Sequence, residues 1–162
     1  MNESGIDLGG SVPIVVSACL IGVCCRFDGA SKPNEDVIAL VRNRRVLPVC
    51  PEQLGGLPTP RPRHEIVHGR VVSEHGNDET DAFERGAREV LRMVELFGSR
   101  CAILKARSPS CRRGRIYDGT FSGCVVAGDG VLVQLLIRNG CQVTTEEDLD
   151  LEACVRAARA HD

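Results

Sequence analysis

The sequence predicts an α/β protein: a single compact domain with a mainly parallel sheet flanked by helices. Short apolar runs rich in β-branched residues recur along the chain and read as buried strands. Segments with helical periodicity separate them, and this alternation argues for a mainly parallel sheet covered on both faces. The length of 162 residues, with 43% hydrophobic and 26% charged residues, is that of one soluble domain able to bury a core without disulfides.

Residues 1–11 carry Glu3 and Asp7, lack a signal-peptide pattern, and are expected to form a flexible tail before a domain over 12–162. The run Val12 to Ala18 reads as a first strand leading into Cys19. Pro33 and Asn34 open a helix with Val37, Ile38, Leu40 and Val41 on one face. Val46 to Val49 is a second strand, ending at Cys50. Glu52 to Arg63 is dense in Gly and Pro and reads as an irregular loop. Ile66 to Val72 reads as a short strand pair. The strongest helix spans Asp81 to Phe97, with Phe83, Ala87, Val90, Leu91, Val94 and Phe97 on one face and Gly98 as its stop. Cys101 to Lys105 is a third buried strand, followed by a loop through Arg115. Gly130 precedes a helix over Val131 to Arg138, and Gln142 to Thr144 reads as a fourth strand. Thr145 and Asp148 resemble a capping box for a last helix over Leu149 to Ala160.

Composition excludes several functions. A net charge of −2 gives no bulk attraction to nucleic acid or anionic membrane. Aromatics are 3%, with no Trp, which argues against a stacking platform for single strands. No apolar run approaches the roughly 20 residues needed to span a bilayer. A cytoplasmic protein, monomer or homodimer, is expected. There is no P-loop and no dinucleotide fingerprint. Neither Cys19 nor Cys111 has an Arg six positions on, as a thiol phosphatase would require.

Nine cysteines in a chain without an export signal point to metal ligands, reactive thiols or buried small hydrophobes rather than bridges. Strands joined by right-handed crossovers share one carboxyl edge, where ligands of open α/β sheets bind. Cys19, Cys50 and Cys111 fall at that edge, so they can converge on iron–sulfur or zinc. Spacing alone leaves scattered structural cysteines as the alternative. Cys101, Cys124, Cys141 and Cys154 read as structural, and Cys24–Cys25 as a pair able to supply an extra ligand, although neighbouring residues rarely both point inward. His64 and His68 read as surface residues. Arg61, Arg63, Arg112, Arg113 and Arg115 read as a basic rim, solvated or phosphate-binding. Asp28–Gly29 and Asp118–Gly119 read as turn formers. Lys105 is expected to pair with Glu52 or to bind an anionic substrate group.

Four motifs then carry a family resemblance: S-A-C-L-I-G (Ser17 to Gly22), R-F-D-G (Arg26 to Gly29), C-P-E-Q-L-G-G-L-P-T-P-R-P (Cys50 to Pro62), and S-P-S-C with I-Y-D-G-T-F-S-G (Ser108 to Gly123). Over residues 13–150 the chain resembles the domain-of-unknown-function family 523, whose characterised enzymes are thiouracil desulfidases. The resemblance implies a [4Fe–4S] cluster held by three cysteines, Cys19, Cys50 and Cys111, with one iron left open for a substrate sulfur. It implies Glu52 and Ser108 as catalytic residues. It implies a small thiolated nucleobase of the 2- or 4-thiouracil type, or its nucleotide, as partner, with C=S converted to C=O and hydrogen sulfide released. Arg112 departs from the Gly frequent in relatives after S-P-S-C. The alternative reading is a non-enzymatic iron–sulfur, metal or redox sensor.

Overall fold

The computed structural model describes residues 12–150, 152–154 and 156. The expected tail over 1–11 lies outside them, as does the expected last helix at 151, 155 and 157–160. Four short strands form the central sheet: β1 (Ile14–Ser17), β2 (Val46–Val49), β5 (Cys101–Leu104) and β8 (Gln142–Thr145). Their order is β2-β1-β5-β8 and every pairing is parallel. Two antiparallel ribbons lie outside this sheet. One joins β3 (His64–Val67) to β4 (Arg70–Ser73), and the other joins β6 (Arg115–Tyr117) to β7 (Val125–Ala127). The first was expected. The second was not, because its short runs are interrupted by seven residues of turn sequence that mask any period.

Successive residues of a strand face opposite sides, and the core divides accordingly. Val15, Val49, Ala102, Leu104 and Val143 pack with α3 (Thr80–Phe97) and α4 (Val131–Arg138). Ile14, Val16, Cys101 and Ile103 pack on the other side with Leu20 and Val37. Val37 lies on α1 (Glu35–Val41), whose N-cap Asn34 accepts a hydrogen bond from the Val37 amide at 3.0 Å.

Four local expectations need correction. Phe97 is exposed in the last turn of α3, whose buried face ends at Val94. The Glu52 to Arg63 stretch is not irregular throughout: it begins within α2 (Pro51–Leu54), nucleated by Pro51 in the first turn. Thr145 belongs to β8 rather than to a capping box, and Asp150 instead receives the Ala153 amide at 2.9 Å. Cys101 and Cys154 are buried as expected, but they are also joined in a disulfide with Cα atoms 5.3 Å apart. Of the other cysteines taken as structural, Cys141 is buried but Cys124 is exposed.

Short α2 is held by a close backbone contact with α3. A Cβ on Gly86 of α3 would stand 1.7 Å from the Pro51 carbonyl oxygen, and one on Gly55 would stand 2.0 Å from that of Ala82. The backbones therefore meet directly, and Cys50 and Glu52 inherit their placement from that contact. Gly86→Ala must separate the helices, with an expected loss of about 2 kcal/mol. A urea melt checks this: the midpoint falls, and an unchanged midpoint would mean the contact is not made.

Candidate active site

At the carboxyl ends of the strands lies a cavity of about 410 Å³. Chain direction across the sheet reverses between β1 and β5, and such switch points leave a crevice. Three of the four strand ends, those of β1, β2 and β5, deliver a thiol to it. The chain leaves β1 in a 3-10 turn, Ala18–Ile21, which carries Cys19. Cys50 caps α2 directly after β2. Cys111 sits in the turn after β5, where the Ser108 hydroxyl accepts from the Ser110 and Cys111 amides, both at 3.2 Å. That turn is seated on α4: the Val131 and Leu132 amides donate to the Pro109 and Ser110 carbonyls at 3.1 and 3.0 Å. Cys19, Cys50 and Cys111 all line the one cavity.

Cys25 is a fourth thiol on the same wall, while Cys24 is exposed. The Cys25 thiol interacts with those of Cys19 and Cys50, and the contact with Cys19, with burial added, pushes it up to about 11. The contact with Cys25, then burial, raises Cys50 further still. Burial pushes Cys111 up to about 12. These three are neutral thiols at pH 7, so binding a metal here releases protons. Among the described residues, no three His, Cys, Asp or Glu close around a single metal ion. The ligands of a cluster each hold a different iron, so their sulfurs stand apart around a larger body. Three soft sulfur donors from separate loops on one cavity fit such a group.

Glu52, only 9% exposed, faces this wall from α2. Its Oε2 accepts from Arg61 Nε at 2.6 Å and lies 2.5 Å from an Arg61 Nη. Its Oε1 accepts from the Ser108 hydroxyl at 3.3 Å. Arg61 is 8% exposed, so it is not part of a solvated rim. Its remaining donors reach the Cys25 carbonyl at 3.0 Å, Thr59 Oγ1 at 3.1 Å and the Cys50 sulfur at 4.0 Å. Arg112 also leaves the expected rim: it is buried, with its guanidinium 5.2 Å from the Tyr117 ring.

Two other expectations change. Lys105 does not pair with Glu52; its ammonium binds Glu146 and the Ala106 carbonyl, the latter at 2.8 Å. Glu146 begins the segment after β8, next to β5 in the sheet, so the nearer carboxylate takes the lysine. His64 is not a surface residue. It is buried 5.1 Å from the Phe83 ring, and burial lowers its basicity, leaving a neutral imidazole on the cavity wall. His68 is exposed, as expected.

Fold and cavity together define a parallel α/β protein with a thiol-lined pocket at its switch point, carrying a buried carboxylate and a hydroxyl. The chain belongs to the 2-thiouracil desulfurase family, whose model matches residues 14–148. It is 37% identical over 147 residues to the uncharacterized protein YbbK of Bacillus subtilis (strain 168), covering 85% of this chain and 97% of that one. It is 46% identical to a solved structure titled [4Fe-4S]-dependent thiouracil desulfidase TudS, with a TM-score of 0.82 over 90% of this chain and 96% of that one. No helix among the described residues is long and apolar enough to cross a membrane.

Removing Arg61 leaves the Glu52 carboxylate buried without its cation. Arg61→Met is expected to cost about 3 kcal/mol in a urea melt, the lower end for a broken buried pair. Glu52→Gln/Arg61→Met should recover part of that loss, because the orphaned charge is gone. If the double variant is as unstable as the sum of the singles, the pair does not couple.

Proposed function

We propose that this protein is an iron–sulfur-dependent desulfidase that converts the C=S of a thiolated nucleobase, of the 2- or 4-thiouracil type and free or as its nucleotide, to C=O. The observation that carries this reading is the meeting of Cys19, Cys50 and Cys111 on one cavity wall with Glu52 and Ser108 beside them. The family membership and the name of the TudS relative support it.

In this reading the three cysteines hold a [4Fe–4S] cluster. When bound, such a cluster supplies a Lewis-acidic iron that draws electron density from a C=S bond. The protein supplies the base and its orientation. Arg61 occupies Oε2 of Glu52, so proton transfer falls to Oε1. Oε1 takes a proton from the attacking water, and the Ser108 hydroxyl on the same oxygen steadies its lone pairs. The resulting hydroxide adds to the ring carbon; as the C–S bond breaks, Glu52 returns its proton to the sulfur and the added hydroxyl gives up the second, so that C=O forms and sulfur leaves as hydrogen sulfide. Thiocarbonyl plus water gives carbonyl plus hydrogen sulfide, with no change in oxidation state. Free thiols at such a site suit a reducing cytoplasm.

Anaerobically reconstituted protein should be brown and release sulfide from 2-thiouracil, 4-thiouracil or a thiouridine nucleotide. Cys19→Ala, Cys50→Ala and Cys111→Ala should each lose cluster iron by metal analysis, while the exposed Cys24→Ala keeps it. Glu52→Gln should stay brown and lose turnover about 100-fold or more. Brown protein that releases no sulfide would favour a sensor instead, and colourless protein would end the cluster reading.

A further inference from the structure

Only five residues of the chain are aromatic, and three of them, Phe27, Tyr117 and Phe121, line the cavity. The Phe27 ring carries the Arg26 guanidinium at 5.6 Å, and Tyr117 carries Arg112. Phe121 has no cation or aromatic partner among the described residues.

The backbone at Phe121 is strained. Among the described residues, three non-glycine residues adopt the left-handed conformation: His68, Arg107 and Phe121, at φ 47°, 63° and 57°. His68 lies in the β3–β4 turn, whereas the other two line the cavity. A bulky side chain in this region is an outlier that the surroundings must enforce.

The enforcing group is Glu65. It lies on β3, is 7% exposed, and plays no part in the chemistry above. Its Oε2 accepts from the amides of both Gly119 and Phe121 at 3.0 Å. Asp118 turns the chain just before, accepting from the Thr120 amide at 3.0 Å and from its hydroxyl at 2.6 Å. Gly119, at φ 87°, presses on β3, where a Cβ would stand 2.8 Å from Val67 Cγ2 and 3.0 Å from the Ile66 carbonyl. The D-G-T-F stretch of the I-Y-D-G-T-F-S-G motif is therefore a clamp that holds the Phe121 ring at the cavity.

We propose that Phe121 is a specificity-determining residue whose ring packs on the face of the substrate's planar heteroaromatic ring, with Glu65 as the positioning residue that holds it. The inference deepens the desulfidase reading and rests on it for the identity of the substrate. Strain kept at a cavity wall is a cost to folding that ring stacking offsets only when a flat ligand is present. Stacking of one ring supports roughly ten-fold in affinity or more.

The test uses cluster-loaded protein and 4-thiouracil. Equilibrium binding is measured by calorimetry in the Glu52→Gln background, and KM and kcat are measured with Glu52 intact. Phe121→Gly removes the ring and relieves the strain. It is expected to weaken binding and raise KM about ten-fold or more, with kcat and the cluster's visible spectrum unchanged and the melting temperature not lowered. Phe121→Tyr should restore affinity. Glu65→Ala should match Phe121→Gly, and Glu65→Gln, which keeps an acceptor oxygen, should bind as wild type. If wild type releases no sulfide yet Phe121→Gly still weakens binding, the desulfidase reading fails and this one stands. Active wild type with unaltered affinity in Phe121→Gly overturns the proposal. So does a protein that binds no 4-thiouracil, or a Phe121→Gly variant that melts lower and binds normally.

Discussion

The guanidinium of Arg61 joins parts of the chain that the sheet alone would leave independent. It touches the Glu52 carboxylate of α2, the carbonyl of Cys25 from the loop after β1, and Thr59 of its own loop. The fork geometry of Arg is suited to this, since its donors lie in one plane at fixed angles and stay charged. Burial raises the stakes. A carboxylate and a guanidinium taken out of water must satisfy each other and find partners for their spare donors. Here they do so, and the result is that Glu52 can turn only one oxygen to the cavity. The Gly86–Pro51 and Gly55–Ala82 contacts fix the helix beneath it. Backbone packing sets the position of Glu52, and the ion pair sets its orientation.

Much of this was readable in the sequence. The four parallel strands, the long helix and the helix after Gly130 follow from hydrophobic period and breakers. Once strands are parallel, the edge bearing Cys19, Cys50 and Cys111 follows from chirality of the crossovers. Several short-range contacts follow from the sequence: Asn34 caps α1, and Asp28 and Asp118 close turns, whereas Thr145 is drawn into β8 rather than a capping box.

The rest depends on partners distant in sequence. Arg61 looks like any loop arginine until the cavity wall closes around it, and Arg112 until it is buried beside Tyr117. His64 becomes a core residue because Phe83, on another element, covers it. Lys105 pairs with Glu146, 41 positions on, because β8 lies beside β5 in the sheet. Glu65 sits in an unremarkable strand pair; its meaning comes from Gly119 and Phe121, 54 and 56 positions on. No period or spacing in a single sequence encodes such pairings.

The cysteines show how position on the sheet divides one residue type into two fates. Cys101 opens β5 at the amino edge and meets Cys154 there, with Cα atoms at a separation a disulfide spans. Cys19, Cys25, Cys50 and Cys111 stand at the opposite edge, and none of them is bridged. Their neighbours there keep them as thiols in a hollow rather than filling it: Glu52 is tied to Arg61, and the Ser108 turn is tied to α4. The departures from local preference, namely the left-handed Arg107 and Phe121, the buried ion pair and the crowded thiols, gather at this same edge. Proteins tolerate such departures where function requires them and support them from regular structure elsewhere. In this chain the support comes from the sheet and the two-sided core. The amino edge is closed and ordinary, and that leaves the carboxyl edge free to stay open, polar and strained.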